Sequence, residues 1–199
     1  MLSPAKAGGV RYNMLLREGA AFDLAVRLRQ GAANIGEVYS FISGLYFRGK
    51  MAYVEAFRAP PPGIPPALVM VPGAGLVPPE TPIDIEQLRG IADVPVHESN
   101  PEYREALLTS ATLLDQHAGQ GCSYVLLGSI ASEKYTAPLL KVFGERLLFP
   151  SDFVGRGDMS RGGLMLRCAR SGVELSYVAI QGATRHGERP PRLERWRKQ

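Results

Sequence analysis

Leu147-Leu148-Phe149-Pro150-Ser151-Asp152-Phe153-Val154-Gly155-Arg156-Gly157-Asp158-Met159-Ser160-Arg161-Gly162-Gly163-Leu164-Met165-Leu166-Arg167 carries three patterns in succession. A short apolar run comes first, as expected of a strand buried on both faces. The loop from Gly155 to Gly163 follows, with four glycines, an Asp, a Ser and two arginines. An amphipathic run from Leu164 to Cys168 comes last. The order reads as strand, polar turn, helix N-terminus. A helix N-terminus presents unpaired backbone N–H groups and partial positive charge, so it suits an anion.

The same unit recurs upstream. Ala67-Leu68-Val69-Met70-Val71 is a continuous apolar run that turns out through Pro72-Gly73-Ala74-Gly75. A short helix is expected from Asp84 to Ala92, and a longer one capped by Asn100, with Tyr103, Leu107, Ala111 and Leu114 on one face. Tyr124-Val125-Leu126-Leu127 reads as the next strand and Glu133 to Phe143 as its helix. After the opening stretch, Gly172 ends the last helix and Val173 to Ile180 reads as a strand near a sheet edge. Strands as apolar runs alternating with helices predict an α/β fold. The expected form is three-layer, a mainly parallel sheet with helices on both faces, plus an N-terminal helical segment.

That segment comprises residues 1–59. Residues 1–15 look irregular, and 17–32 show helical periodicity. Val38, Phe41, Ile42 and Leu45 share one helix face, and the signal resumes through Met51, Val54 and Phe57. Pro60-Pro61-Pro62-Gly63-Ile64-Pro65-Pro66 then stops it, because proline continues neither a helix nor a central strand. The reading is a helical segment over 1–59 packed on the core, an α/β core over 67–184, and a basic, flexible tail over 185–199.

The 199 residues are 45% hydrophobic and 21% charged, an ordinary globular composition able to bury a core without disulfides. No apolar run approaches the roughly 18 residues needed to cross a bilayer, so no membrane association is expected. The N-terminus lacks a signal-peptide core. Cys122 and Cys168 read as buried free thiols, which suits a reducing cytoplasm. The formal charge of +4 resides in the tail, where Arg185, Arg189, Arg192, Arg195, Arg197 and Lys198 outnumber Glu188 and Glu194 by four. Such a tail is either a nucleic-acid contact, with Trp196 stacking on a base, or a solvated end.

In open parallel sheets, ligands bind outside the carboxyl ends of the strands. Three loops hold that position: Pro72 to Gly75, Gly128 to Ser132, and Gly155 to Gly163. The candidate ligand-binding residues are therefore Gly73, Gly75, Gly128, Ser129, Arg156, Gly157, Ser160 and Arg161. Arg156 and Arg161 either clamp a phosphate or carboxylate or pair with Asp152 and Asp158. Ser160 reads first as the helix cap. Asp158 either shares in capping or works as the catalytic carboxylate. Lys134 and Tyr135 stand at the start of the next helix. Tyr46, Arg48 and Lys50 form a polar-aromatic cluster, with Tyr46 placed to stack on a base and the cations on its phosphate; a solvated helix face is the alternative. His97, His117 and His186 have no metal spacing with one another or with the cysteines. There is no GxGxxG after the first strand, no Walker loop and no nucleophile elbow at Gly128-Ser129-Ile130-Ala131. No metal or cofactor is expected.

Several segments together resemble a group of bacterial α/β domains. Gly44 to Tyr53 is similar to that group's early helix. Gly75-Leu76-Val77-Pro78-Pro79-Glu80-Thr81-Pro82-Ile83 is similar to its "GLLPPD" loop. Leu127-Gly128-Ser129 through Tyr135-Thr136-Ala137-Pro138-Leu139 resembles its strand-loop-helix with a "Y-x-x-P-L" core. Gly155 to Leu164 resembles its "GLGIG" turn into the last helix. Such domains resemble YaaA-like and uracil-DNA-glycosylase-like folds. The resemblance implies a nucleobase, nucleoside or nucleic-acid ligand and transfers no activity. The chain departs from the pattern at its N-terminus, where no first strand with a polar exit loop is legible.

Three expectations follow. The first is a nucleotide- or nucleobase-processing enzyme, such as an N-glycosidic-bond hydrolase or transferase, with Asp158 positioning the sugar or activating water. The second is a non-catalytic nucleotide- or nucleic-acid-binding protein that uses residues 185–199. The third is an assembly subunit, an oligomer whose contact is the N-terminal helical segment through Phe41, Ile42 and Phe47.

Overall fold

The computed structural model describes residues 1–193. The first four helices are α1 (Gly9–Leu16), α2 (Asp23–Arg29), α3 (Ile35–Ser43) and α4 (Leu45–Phe57), with a two-residue strand β1 (Ala33–Asn34) before α3. Residues 17–32 therefore hold one short helix rather than a long one. Arg17 leaves α1 in extended conformation and Gly19 turns at φ 77°. α3 begins with a reciprocal capping box. Asn34 accepts from the Glu37 backbone N–H, and the Glu37 carboxylate accepts from that of Asn34. Gly44, at φ 62°, separates α3 from α4. Arg58 leaves α4 extended, and the prolines follow.

Beyond the prolines come β2 (Val69–Val71), β3 (Gly75–Val77) and β4 (Pro82–Ile83), then α5 (Ile85–Asp93) and α6 (Pro101–Ala118). Asp84 caps α5 and Asn100 caps α6, with Pro101 at the first helical position where its missing N–H costs nothing. The remaining elements are β5 (Tyr124–Val125), α7 (Glu133–Phe143), β6 (Leu147–Pro150), α8 (Asp158–Ser171) and β7 (Tyr177–Ala179).

The fold is α/β, but its sheets are small and mixed and do not form the expected three-layer, mainly parallel sheet. β2 and β3 are an antiparallel hairpin, and β1 pairs antiparallel with β4. β5 and β6 are parallel, while β7 joins β6 antiparallel. Residues 1–3, which look irregular in sequence, join these pieces. Leu2 forms parallel bridges to Val69 on one side and Leu127 on the other. Leu2 N donates to Leu68 O at 2.7 Å, Met70 N to Leu2 O at 2.9 Å, and Leu127 N to Met1 O at 2.8 Å.

The pleat sends alternate side chains to opposite sides. Val69, Val71, Leu2 and Leu127 enter a core built largely from α1 to α4 and α8. Met70 and Leu126 enter a second core with Tyr103 and Leu107 of α6 and Tyr135, Leu139 and Phe143 of α7. α4 and α8 cross backbone to backbone. A Cβ on Gly49 would come within 2.6 Å of the Gly162 carbonyl oxygen, and one on Gly162 within 2.7 Å of that of Leu45. Gly162 and Gly163 are thus helical residues rather than part of a flexible loop. Residues 185–193 carry no helix or strand, and Arg185 pairs with Glu133 at 3.1 Å. Trp196, Arg195, Arg197 and Lys198 lie outside the described residues.

Candidate functional site

Three chain segments leave the parallel-paired strands at their carboxyl ends: Ser3 to Gly9 after the first segment, Pro72 after β2, and Gly128 to Ser132 after Leu127. They enclose a cleft of about 830 Å³ with the start of α7, the end of α5 and the N-terminus of α8. Its walls include Ser3, Lys6, Tyr46, Ser129, Lys134, Tyr135 and Asp158. The cleft lies outside the carboxyl ends of the parallel-paired segments, the position at which α/β sheets bind ligands. Its volume lies in the range of small-molecule sites.

The expected site residues do not all meet there. Ser129, Tyr46, Lys134, Tyr135 and Asp158 do. Asp158, the first residue of α8, is two-thirds exposed. Tyr135 is both core and cleft wall. Ser129 Oγ accepts from the Ala131 backbone N–H at 3.3 Å.

Arg156, Gly157 and Ser160 line a different groove, with Arg167, Arg189 and Arg192. Ser160 does not cap α8: Gly157 holds the cap position, and Ser160 Oγ accepts from Arg156 Nη1 at 3.2 Å. Arg156 also donates to the Asp152 carbonyl at 3.0 Å. Arg161 is buried, donating to the Phe153 carbonyl at 3.1 Å, with its other edge 3.4 Å from Asp158. The ion-pair alternative is thus realised for Arg161, and Arg156 pairs with neutral oxygens instead.

Gly73 lines a separate groove with Ile35, Thr81 and Gln87. Gly75 packs under α6, where a Cβ would meet the Ala106 carbonyl oxygen. Gly128 serves the cleft indirectly: a Cβ there would lie 2.9 Å from Ser3 Cβ and 3.1 Å from its Oγ. Arg48 is exposed on α4, away from the cleft walls.

Lys50 is the largest departure from expectation. It is 1% exposed rather than part of a solvated face. Its Nζ donates to the Ser3 carbonyl at 2.8 Å and lies 2.7 Å from Ser3 Oγ, with the Tyr46 ring centroid 4.0 Å away. No carboxylate lies within ion-pairing distance of it among the described residues. Burial pushes its pKa down to about 7; Asp158 opposes that shift and Arg161 adds to it. Tyr46 is pushed up to about 12, again chiefly by burial. Its hydroxyl is buried with no hydrogen-bond partner.

Ser3 was outside the expected site, and Lys50 was expected there as a phosphate-binding cation or on a solvated face, not as a buried partner of Ser3. For Lys50 a signal existed: Tyr46, Lys50 and Tyr53 stand at i, i+4 and i+7, which places the lysine on the buried stripe of α4. For Ser3 there was none, since a Met-Leu-Ser segment is too short to show a period.

Among the described residues, no group of three or more His, Cys, Asp or Glu side chains could hold a metal. No helix among the described residues is long and apolar enough to cross a membrane. Cys122 and Cys168 are free, and Cys168 is buried. Comparison with protein-family models, curated proteins and solved structures finds no match.

Proposed function

We propose that the protein binds a nucleotide or nucleobase in the cleft at the strand carboxyl ends and processes it, with Asp158 as the carboxylate that positions the sugar or activates water. The observation that carries this reading is the cleft itself. One exposed carboxylate at a helix start shares a crevice of nucleotide size with two tyrosines and the cations Lys6, Arg11 and Lys134. Lys134 or Lys6 offers a charge to a phosphate, while Tyr46 and Tyr135 are largely buried and form part of the wall behind the ligand. Arg156, which lines another groove, is not needed for that phosphate. An N-glycosidic-bond hydrolase or transferase fits a lone carboxylate acting on water or a sugar.

The test is thermal melting of the full chain with nucleotides, nucleosides and free bases, followed by chromatography for released base. A ligand at a hundred times its Kd stabilises by about 2.7 kcal/mol, a shift readily seen. Asp158→Ala is expected to lower base release by about 10²- to 10⁴-fold. If none of these compounds shifts the melting temperature, the reading fails.

A second reading has its own observation. The groove lined by Arg156, Arg167, Arg189 and Arg192 has no carboxylate among the described residues that line it. It favours a non-catalytic protein that holds a nucleic-acid backbone there, extending into the basic tail. Single-stranded DNA in the same melting assay separates the two: salt-sensitive stabilisation by DNA alone supports the second.

A further inference from the structure

We propose that Ser3 and Lys50 form a nucleophile–base pair at the floor of the cleft, able to take an acyl group from an ester or amide substrate. The geometry carries the assignment. Ser3 lies at the carboxyl end of the central segment and lines the cleft, although only 3% of it is accessible. Lys50 sits directly behind it, 2.7 Å from the hydroxyl.

An uncharged amine has two N–H donors and one lone pair, and the site provides for all three. The Ser3 carbonyl accepts one N–H at 2.8 Å, and the Tyr46 ring faces the nitrogen at 4.0 Å. The lone pair then accepts the Ser3 hydroxyl proton. In the ammonium form the bond runs the other way, Lys50 Nζ donating to Ser3 Oγ while the hydroxyl donates to the Leu127 carbonyl at 3.4 Å. Gly128 closes the opposite side of Ser3, leaving no room for a side chain. A hydroxyl held against a buried amine is the arrangement that activates a serine.

The charged groups near Lys50 are Asp158 and Arg161, both from α8, and the Met1 amine from the first segment. Asp158 is two-thirds exposed, so solvent screens its pull on the proton. Desolvation dominates, and the amine is available near neutral pH.

The step balances as follows. Ser3 Oγ bonds to the substrate carbonyl carbon while its proton passes to Lys50 Nζ, giving the ammonium. The bond to the alcohol or amine leaving group breaks, and that group departs with the proton from Lys50. Water then attacks the acyl-serine, giving its proton to Lys50, and the acid leaves as Ser3 takes the proton back. No oxidant, reductant or metal enters.

The pair shares the cleft with the nucleotide reading but does not rest on it, and its test uses a different readout. The full chain is treated with an alkyl fluorophosphonate, which forms a stable bond to activated serines, and adducts are mapped by mass spectrometry. A single adduct at Ser3 is expected, with a rate that rises through about pH 7 and levels above it. Ser3→Ala should abolish it. Lys50→Met should slow it at least 100-fold while melting shows a folded chain. If Lys50→Met does not fold, the wild-type pH profile decides. Absence of a Ser3 adduct between pH 6 and 9, or a rate that climbs without levelling to pH 9, would overturn the pair. These outcomes are independent of whether any nucleotide binds.

Discussion

At the residue scale the distinctive feature is a lysine in the core with no carboxylate in ion-pairing distance among the described residues. The sign of its effect on stability follows from its lowered pKa. The unfolded chain holds the proton up to an ordinary value near 10.4, whereas the folded chain gives it up near 7. Between these values the unfolded state binds more protons, so stability rises with pH. The penalty is complete below pH 7 and relieved as pH approaches 10. Lys50→Met, of similar volume, is therefore expected to be more stable than the wild type at pH 6, the gap narrowing steadily toward pH 9. Urea denaturation of both chains across that range checks it; a constant gap would mean that Lys50 is not the titrating group. The buried tyrosines act in the opposite sense, since burial raises Tyr39 and Tyr103 above their ordinary range and so weakens the fold only at strongly alkaline pH. Asp115 is more conventional. Arg146 holds it at 2.6 and 2.7 Å and keeps its carboxyl below the usual range, so its contribution is lost only in acid.

At the element scale the decisive contact is α4 against α8. Gly49 and Gly162 lie at the crossing, each within touching distance of the other helix's backbone. Glycine in a helix is unfavourable by about 1 kcal/mol relative to alanine, and here the close approach offsets that loss. Gly162→Ala forces a methyl into backbone atoms that cannot rotate aside. A loss of about 1–3 kcal/mol is expected, with the α8 N-terminus and Asp158 displaced from the cleft. Denaturant unfolding measures the first consequence and ligand-induced melting shifts the second. An unchanged midpoint would show that the helices separate at no cost. The sequence alone made Gly162 look like part of a flexible loop and Gly49 like a weak point in a helix, because it reveals helix-weakening residues without revealing what they pack against. The caps at Asn34, Asp84 and Asn100 are different. Their signals lie within three residues of the helices they start, and the one at Asn100 is legible in the sequence.

At the scale of the whole molecule, residues 1–3 join what would otherwise be separate sheets. Leu2 is fully buried and bridges both Val69 and Leu127. Leu2→Ala is expected to cost about 2–5 kcal/mol, as for other buried leucines, with far-UV and tyrosine signals lost in one transition. Two separate transitions would show that the halves fold independently of this segment.

Local pattern in the sequence determined the α/β class, the helix from Asn100, the strands at 69–71, 124–125 and 147–150, and the glycine-rich exits after them. Each of these depends on neighbours a few residues apart. The tertiary structure alone decided that a three-residue terminal segment lies centrally, that the sheets stay small and mixed, and that Arg156 and Asp158 face different grooves two residues apart. It also decided that Lys50 meets Ser3 across 47 residues of chain. Such contacts depend on how distant segments share one interior, and no spacing along the chain records them.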